Sequence, residues 1–205
     1  MQQPNLSLPR EAMRPAYDVV VVGSGYGGGV TACRLARAKQ RVCVLERGRE
    51  VPVGSFPSRL PELRRELQVN DGKKRSGSAT GLYDVRIGAD INVVVGCGLG
   101  GGSLINAGVA LRPDPRVFAD GTWPDAIRTD GLLDTGFERA AGMLSPMRYA
   151  GTPALTKYRA LEAASGVFGK RPVTVPVTVS FEDSVNPAGV AQRACTLCGD
   201  CCSGC

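Results

Sequence analysis

The feature that most constrains this sequence is a glycine pattern directly after a short run of β-branched residues. Residues 17–22 read Tyr-Asp-Val-Val-Val-Val, which is typical of a buried central strand of a parallel sheet. Residues 23–28 then read Gly-Ser-Gly-Tyr-Gly-Gly, with the spacing GxGxxG, and residues 28–39 continue with helical periodicity. A second apolar strand is predicted at 41–46. A strand, helix and strand of this length require a right-handed crossover, so the sequence predicts a parallel α/β sheet.

Each glycine of this pattern meets a separate physical requirement. Gly23 allows the tight turn, Gly25 lets the backbone approach a pyrophosphate, and Gly28 permits close packing of the helix. Glu46 ends the second strand, where a carboxylate accepts hydrogen bonds from both hydroxyls of an adenosine ribose. A ribose 2′-phosphate would meet like charge there, so the pattern disfavours NADP, although Arg47 lies beside it.

A second glycine cluster spans residues 96–108 and reads Gly-Cys-Gly-Leu-Gly-Gly-Gly-Ser-Leu-Ile-Asn-Ala-Gly. Of the 27 glycines, eleven lie in residues 23–29 and 96–108, which excludes a fibrous or disordered chain. The second cluster is too rich in glycine for a plain hairpin and too uncharged for a surface loop. We therefore expect it to lie under a flat or phosphorylated ligand.

These segments resemble the glucose-methanol-choline (GMC) family of flavoprotein oxidoreductases, and within it the cholesterol-oxidase-like branch. The resemblance is carried by residues 18–28, by Val-Leu-Glu-Arg-Gly at 44–48 and by residues 98–108, and it extends over about 17–205. It implies an α/β fold: a Rossmann-like FAD-binding domain with a parallel sheet, followed by the beginning of an α+β substrate domain. Family members are much longer, so the chain resembles an N-terminal portion only.

The resemblance implies that FAD contacts both glycine loops. The adenosine ribose is expected on Glu46, and Asn106 is expected to face the flavin ring. Ala107 and Val109 stand where the steroid-oxidase pattern has glycine and methionine, and these larger or branched side chains crowd the flavin's edge. The expected cofactor-binding residues are Gly23, Gly25, Tyr26, Gly27, Gly28, Glu46, Gly101, Gly102, Asn106, Ala107 and Val109.

The resemblance also implies the reaction: an FAD-dependent oxidoreductase that acts on the CH–OH group of an alcohol or sterol and passes electrons to oxygen or another acceptor. The chain contains no histidine, so no catalytic residue is expected in it. Two alternatives remain open. One is an inert or partner-dependent flavin or iron–sulfur carrier fragment. The other is an NAD-dependent dehydrogenase, which would explain residues 23–46 and leave 96–108 unexplained.

The end of the sequence is rich in cysteine. Cys195, Cys198, Cys201 and Cys205 have the spacing CxxCxxCxxxC of a bacterial ferredoxin, which suggests an iron–sulfur cluster. A zinc site, a disulfide knot and bare thiols are the alternatives. Three further cysteines lie in apolar runs and are expected to be small buried hydrophobes, namely Cys33, Cys43 and Cys97.

The remaining elements are assigned from hydrophobic periodicity and from the positions of glycine and proline. The expected domains are a flexible tail at 1–16, the FAD-binding domain at 17–115, the start of a substrate or cap domain at 116–190 and a Cys-rich segment at 191–205. A solvated helix and loop are predicted over 59–75, two strands over 82–95, helices over 132–144 and 155–168, and an alternating strand over 173–181.

Charge and hydropathy exclude several partners. The net charge of +6 is scattered and lacks an aromatic stacking platform, so no nucleic-acid partner is expected. Residues 91–111 are uncharged, but their six glycines and two asparagines argue against a transmembrane segment. The first fifteen residues contain no apolar leader, which predicts a cytoplasmic location.

Overall fold

The computed structural model describes residues 5–52, 54–129, 131–151, 153–187, 189–199 and 201. The described residues form two compact units. The first contains those up to Ala107 together with Gly199 and Cys201, and the second contains those of Gly108–Cys198. The sequence-based domain boundary at 115 lies eight residues beyond the end of the first unit and stays a prediction.

The first unit opens with the predicted strand, helix and strand. Strand β1 is Val19–Val22, helix α1 is Tyr26–Arg37 and strand β2 is Val42–Leu45. The two strands are parallel, with Val19 opposite Val42. The helix ends before Lys39, whose φ of 66° turns the chain back toward β2. This arrangement confirms the Rossmann-like α/β prediction.

A second, four-stranded sheet follows a short helix in the first unit. Helix α2 is Leu60–Arg65, and the strands are β3 (Leu67–Asn70), β4 (Arg75–Gly77), β5 (Tyr83–Ile87) and β6 (Asn92–Gly96). Their order is β4-β3-β5-β6, with β3 and β5 parallel and the other two pairs antiparallel. Strands β5 and β6 confirm the two strands predicted over 82–95.

The prediction of a solvated helix and loop over 59–75 fits α2 and the exposed loop at 71–74 but misses the strand between them. Residues 67–70 form a strand, and the start of β4 follows at Arg75. Gln68 explains the error, because it is buried as a polar residue and its amide donates to the Gly81 carbonyl at 2.7 Å. Leu67–Asn70 alternates apolar and polar residues, but the buried position is the polar one, so the alternation does not mark the buried face.

The second unit is mainly helical. Its helices are α3 (Pro115–Phe118), α4 (Asp125–Thr129), α5 (Leu132–Leu144) and α6 (Thr156–Ser165), and its strands are β7 (Ser184–Val185) and β8 (Ala191–Gln192). The bounds of α5 confirm the predicted helix. The strand predicted over 173–181 is wrong: only Val177 makes bridges, to Val109 and Met147. Pro172 and Pro176 carry no N–H group, so they interrupt a hydrogen-bonded ladder.

Few apolar side chains of the described residues are fully enclosed. Leu82 is 1% exposed and Cys97 is 4% exposed, whereas Val22 on the first sheet is 85% exposed. Cys43 is also buried, so Cys43 and Cys97 are buried as predicted, whereas Cys33 is only partly buried. Among the helices of the described residues, none has the length and apolar character needed to cross a membrane.

Candidate functional site

The first glycine loop joins β1 to α1 and needs glycine at two positions. Gly23 has a φ of 90°, in the left-handed region that favours glycine. At Gly28, an added Cβ would lie 1.9 Å from the carbonyl oxygen of Gly23. The helix therefore packs backbone to backbone against the turn, as the sequence predicts. The residue at its N-cap is Gly25, so no side chain caps the first turn of the helix.

The other glycines of the loop border open space. A Cβ added at Gly25 or Gly27 would meet no protein atom within 4 Å. Protein packing thus does not explain why these two positions lack a side chain. Space above the amides at the start of a twelve-residue helix suits a phosphate, because the N–H groups and the helix dipole attract negative charge.

Glu46 follows β2 and is fixed by hydrogen bonds to both carboxylate oxygens. Its Oε2 accepts from the Ser24 backbone N–H at 2.9 Å and from Ser24 Oγ at 2.6 Å. Its Oε1 accepts from the Gly48 N–H at 2.9 Å. Partial burial raises the pKa of Glu46, but the hydrogen bonds from Ser24 and Gly48 outweigh it, so the net pKa is lowered. Glu46 is therefore an ionised acceptor at neutral pH.

The second glycine loop lies directly against the first. A Cβ at Gly101, whose φ is 59°, would lie 2.7 Å from the Cα of Gly25. Gly100, with a φ of 113°, donates its N–H to Ser24 Oγ at 2.9 Å. The two loops together form one continuous surface of backbone.

A cleft of about 610 Å³ opens beside this surface. Tyr26 and Asn106 both line it, and the Asn106 side-chain amide donates to the Tyr26 hydroxyl. The cleft is lined by Tyr26, Pro57, Leu63, Tyr83, Val94, Gly102, Ile105 and Asn106. Five of these were not among the expected cofactor-binding residues: Pro57, Leu63, Tyr83, Val94 and Ile105. Tyr83 and Val94 were detectable as residues of the strands that lead into the second loop, whereas no motif marks Pro57 or Leu63.

Ala107 and Val109, the last two expected cofactor-binding residues, do not line the cleft. Ala107 ends the first unit with a φ of 59°, a conformation that favours the glycine expected there. Val109 belongs to the second unit, where it bridges to Val177. The contact of either residue with a cofactor stays a prediction.

The cysteine cluster gains no support as a metal site. Among the described residues, no group of three or more His, Cys, Asp or Glu side chains could hold a metal ion. Cys205, the fourth expected ligand, lies outside the described residues. Within the second unit, Cys195 donates its N–H to the Ser180 carbonyl at 2.8 Å and accepts the Leu197 N–H on its sulfur at 3.4 Å.

The parallel strand, glycine turn, helix and acidic strand end define the class of this protein: a Rossmann-like dinucleotide-binding domain. The comparison with family models agrees, because residues 21–65 match the NAD(P)-binding Rossmann-like domain.

Curated relatives extend the match beyond this domain. A cholesterol oxidase of Mycobacterium tuberculosis is 32% identical over 209 aligned positions, which cover 94% of this chain and 35% of that protein. A cholesterol oxidase of Acinetobacter baumannii is 29% identical over 92% of this chain and 35% of its own length. A long-chain-alcohol oxidase of Arabidopsis thaliana is 34% identical over 56% of this chain and 14% of its own length.

Over most of its length the chain is similar to cholesterol oxidases, and over about half of it to a GMC-type oxidoreductase. It spans about a third of the length of the cholesterol oxidases that it matches.

Proposed function

We propose that this chain forms the FAD-binding part of an oxidoreductase that removes a hydride from the CH–OH group of an alcohol. The observation that carries the proposal is the backbone contact between the two glycine loops, where Gly101 packs on Gly25. The first loop and Glu46 suffice for an adenine dinucleotide. A second loop on the same surface supports a cofactor whose ring system extends beyond the diphosphate.

The chain's own residues supply binding and orientation. The amides at the start of α1, beside the open positions Gly25 and Gly27, would hold the diphosphate. Ionised Glu46 would accept hydrogen bonds from the ribose hydroxyls. Bound FAD supplies the hydride acceptor, which no amino-acid side chain provides.

We place the flavin ring in the cleft beside the second loop. Val94, Ile105 and Tyr83 give it mainly apolar walls, against which a flat ring would pack. The Asn106 amide, held by the Tyr26 hydroxyl, would offer a polar contact at its edge.

We assign no catalytic acid or base to this chain, since its 205 residues include no histidine. The proton of the alcohol would pass to a group outside it. The substrate class we propose is a hydrophobic alcohol, a sterol or a long-chain alcohol, with oxygen or another acceptor reoxidising the cofactor. This choice is supported by relatives that are a cholesterol oxidase and a long-chain-alcohol oxidase. The cytoplasmic location stays a prediction.

The rival cofactors are NAD and NADP, because residues 21–65 match an NAD(P)-binding model. NADP is disfavoured by the position of Arg47, whose guanidinium donates to Asp84 Oδ2 and to Gln68 Oε1, each at 3.2 Å. These two acceptors engage the cation that a ribose 2′-phosphate would need. NAD remains the second candidate, and an inert or partner-dependent carrier fragment is the third.

The test is a titration of the purified chain with FAD, FMN, NAD⁺ and NADP⁺, followed by absorption, fluorescence and equilibrium dialysis. FAD should bind with one-to-one stoichiometry and at least about tenfold more tightly than NAD⁺. Gly25→Ala should weaken FAD binding by about tenfold or more, because its methyl group would occupy the space proposed for the diphosphate.

Gly25→Ala should lower the urea midpoint only slightly, because its Cβ meets no protein atom within 4 Å and the remaining cost is the weaker N-cap that alanine provides. Tighter binding of NAD⁺ than of FAD would favour the dehydrogenase alternative. A folded chain that binds none of the four ligands would overturn the proposal and favour the inert fragment.

A further inference from the structure

We propose that Ser24 is a positioning residue for the adenosine half of the cofactor, with one hydroxyl that orients Glu46 and ties the second glycine loop to the first. The inference rests on the proposed FAD function. Ser24 is an interior, variable position of the GxGxxG spacing, and the sequence pattern gives it no role of its own.

The hydroxyl of Ser24 is used as both donor and acceptor. It donates to Glu46 Oε2 at 2.6 Å and accepts the Gly100 N–H at 2.9 Å. A serine hydroxyl has one hydrogen to donate. The short contact indicates that Ser24 donates it to the Glu46 carboxylate, as a charge-assisted hydrogen bond. The Gly98 carbonyl, 3.3 Å away, is a longer and weaker alternative acceptor.

These contacts determine how Glu46 can meet a ribose. Ser24 holds Oε2 through its backbone and side chain, and the Gly48 N–H holds Oε1. With both oxygens anchored, the carboxylate plane is fixed. Oε2 already accepts two hydrogen bonds, and Oε1 keeps a lone pair for a ligand hydroxyl. An acceptor oriented before binding loses less side-chain freedom when the ribose arrives.

The same hydroxyl links residues far apart in the sequence. Gly100 is 76 positions beyond Ser24, and the adjacent Gly101 is the residue that packs on Gly25. Loss of the hydroxyl would leave the Gly100 N–H without this acceptor and Glu46 without its shortest donor. Alanine at position 24 should therefore free the Glu46 carboxylate, whereas the backbone packing of Gly101 on Gly25 keeps the second loop in place for the flavin half.

The chain offers a matched control in Ser7. Its backbone N–H and its hydroxyl both donate to Glu50 Oε2, at 2.8 and 2.7 Å, so a second serine and glutamate share the geometry of Ser24 and Glu46. This pair is solvent-exposed and lies outside the glycine loops. Ser7→Ala thus removes an equivalent hydrogen bond without touching the proposed cofactor site.

The experiment measures dissociation constants for FAD and for FMN, which lacks the adenosine half, in the intact 205-residue chain. Ser24→Ala should weaken FAD binding by about tenfold, the effect of one hydrogen bond to a charged group. FMN binding should change by less than about twofold, and Ser24→Thr should restore FAD binding. Ser7→Ala should change neither constant.

A double variant tests the route through Glu46. If Ser24 acts through this carboxylate, Ser24→Ala combined with Glu46→Gln should bind FAD no more weakly than Glu46→Gln alone. Unchanged FAD binding in folded Ser24→Ala, or equal losses for FAD and FMN, would overturn the inference while leaving the proposed function intact. A wild-type chain that binds no FAD would overturn both.

Discussion

At the scale of single residues, two neighbouring glycines at the start of α1 have opposite requirements. In Gly28→Ala the new Cβ would lie 1.9 Å from the Gly23 carbonyl oxygen, and we expect a loss of about 2–3 kcal/mol from this overpacking. In Gly27→Ala the Cβ meets nothing within 4 Å, and the helix should gain up to about 1 kcal/mol. Urea denaturation without cofactor measures both. Equal midpoints for the two variants would contradict the packing described at Gly28.

Asp18, directly before β1, makes the stability of the protein depend on pH. The side chain and backbone N–H of Arg41 donate to Asp18, and they lower the pKa of this carboxyl to about 2. Because the folded-state pKa is depressed, the pair stabilises the protein above pH 4 and loses this effect as the pH falls from 4 to 2. Asp18→Asn should therefore reduce the urea midpoint at pH 7.

The same variant provides its own control in acid. At pH 2, where about half of the folded-state Asp18 is protonated, the difference between the midpoints of wild type and Asp18→Asn should be much smaller than at pH 7. A midpoint difference that persists undiminished at pH 2 would show that Asp18 acts through something other than its ionisation.

At the scale of elements, a buried carboxylate connects the end of β2 with the four-stranded sheet. Asp84 on β5 is 4% exposed and accepts from Arg47 and Arg86, each at 3.2 Å. Asp84→Ala would remove this acceptor from two arginines that remain partly hydrated, and we expect a loss of about 2 kcal/mol. Asp134→Ala, in an exposed ion pair with Arg112, should cost less than about 1 kcal/mol. Similar losses in thermal or urea denaturation would contradict the structural role of Asp84.

The elements also show how far the sequence could predict this structure. Local patterns predicted β1, α1, β2, the β5 and β6 pair and the bounds of α5, because valine runs, glycine turns and helical spacing are local signals. Strand β3 was missed because its buried side chain is Gln68, which depends on the distant Gly81 carbonyl. A strand was expected over 173–181 because its valines alternate. Pro176 has no N–H group to donate to a neighbouring strand, and this interrupts the ladder despite the alternation.

The candidate site likewise contains residues that a local pattern predicts and residues that only tertiary contacts bring together. Spacing alone identified Gly23, Gly28 and Glu46, because each belongs to a short motif. It could not identify the bond from Ser24 to Gly100 or the walls of the cleft, since these contacts join residues far apart in the chain. Tertiary packing brings such residues together, and no local pattern records it.

At the scale of the whole molecule, the two-stranded sheet and the four-stranded sheet of the first unit both expose apolar side chains. Val20 and Val22 on β1 are exposed, and so are Val93 and Val94 on β6. Parallel sheets are normally covered on both faces, so we expect the isolated 205-residue chain to self-associate and to bind the hydrophobic dye ANS. Light scattering across a concentration series measures the association.

Substitutions test the source of this association. Val20→Thr combined with Val22→Thr should reduce both the association and the ANS fluorescence, whereas Val21→Thr, at a less exposed position, should instead lower the urea midpoint. A monodisperse wild-type monomer that binds no ANS would contradict the prediction.

The contact at Gly48 affects how parts of this protein could be exchanged with those of its relatives. A Cβ at this position would lie 2.4 Å from the Gly98 nitrogen, so backbone lies directly against backbone at this point. No side chain there can adjust to a changed partner. A chimaera that takes its second glycine loop from another family member should therefore fold only if it also takes the segment around residue 48, and the two must be inherited as one unit.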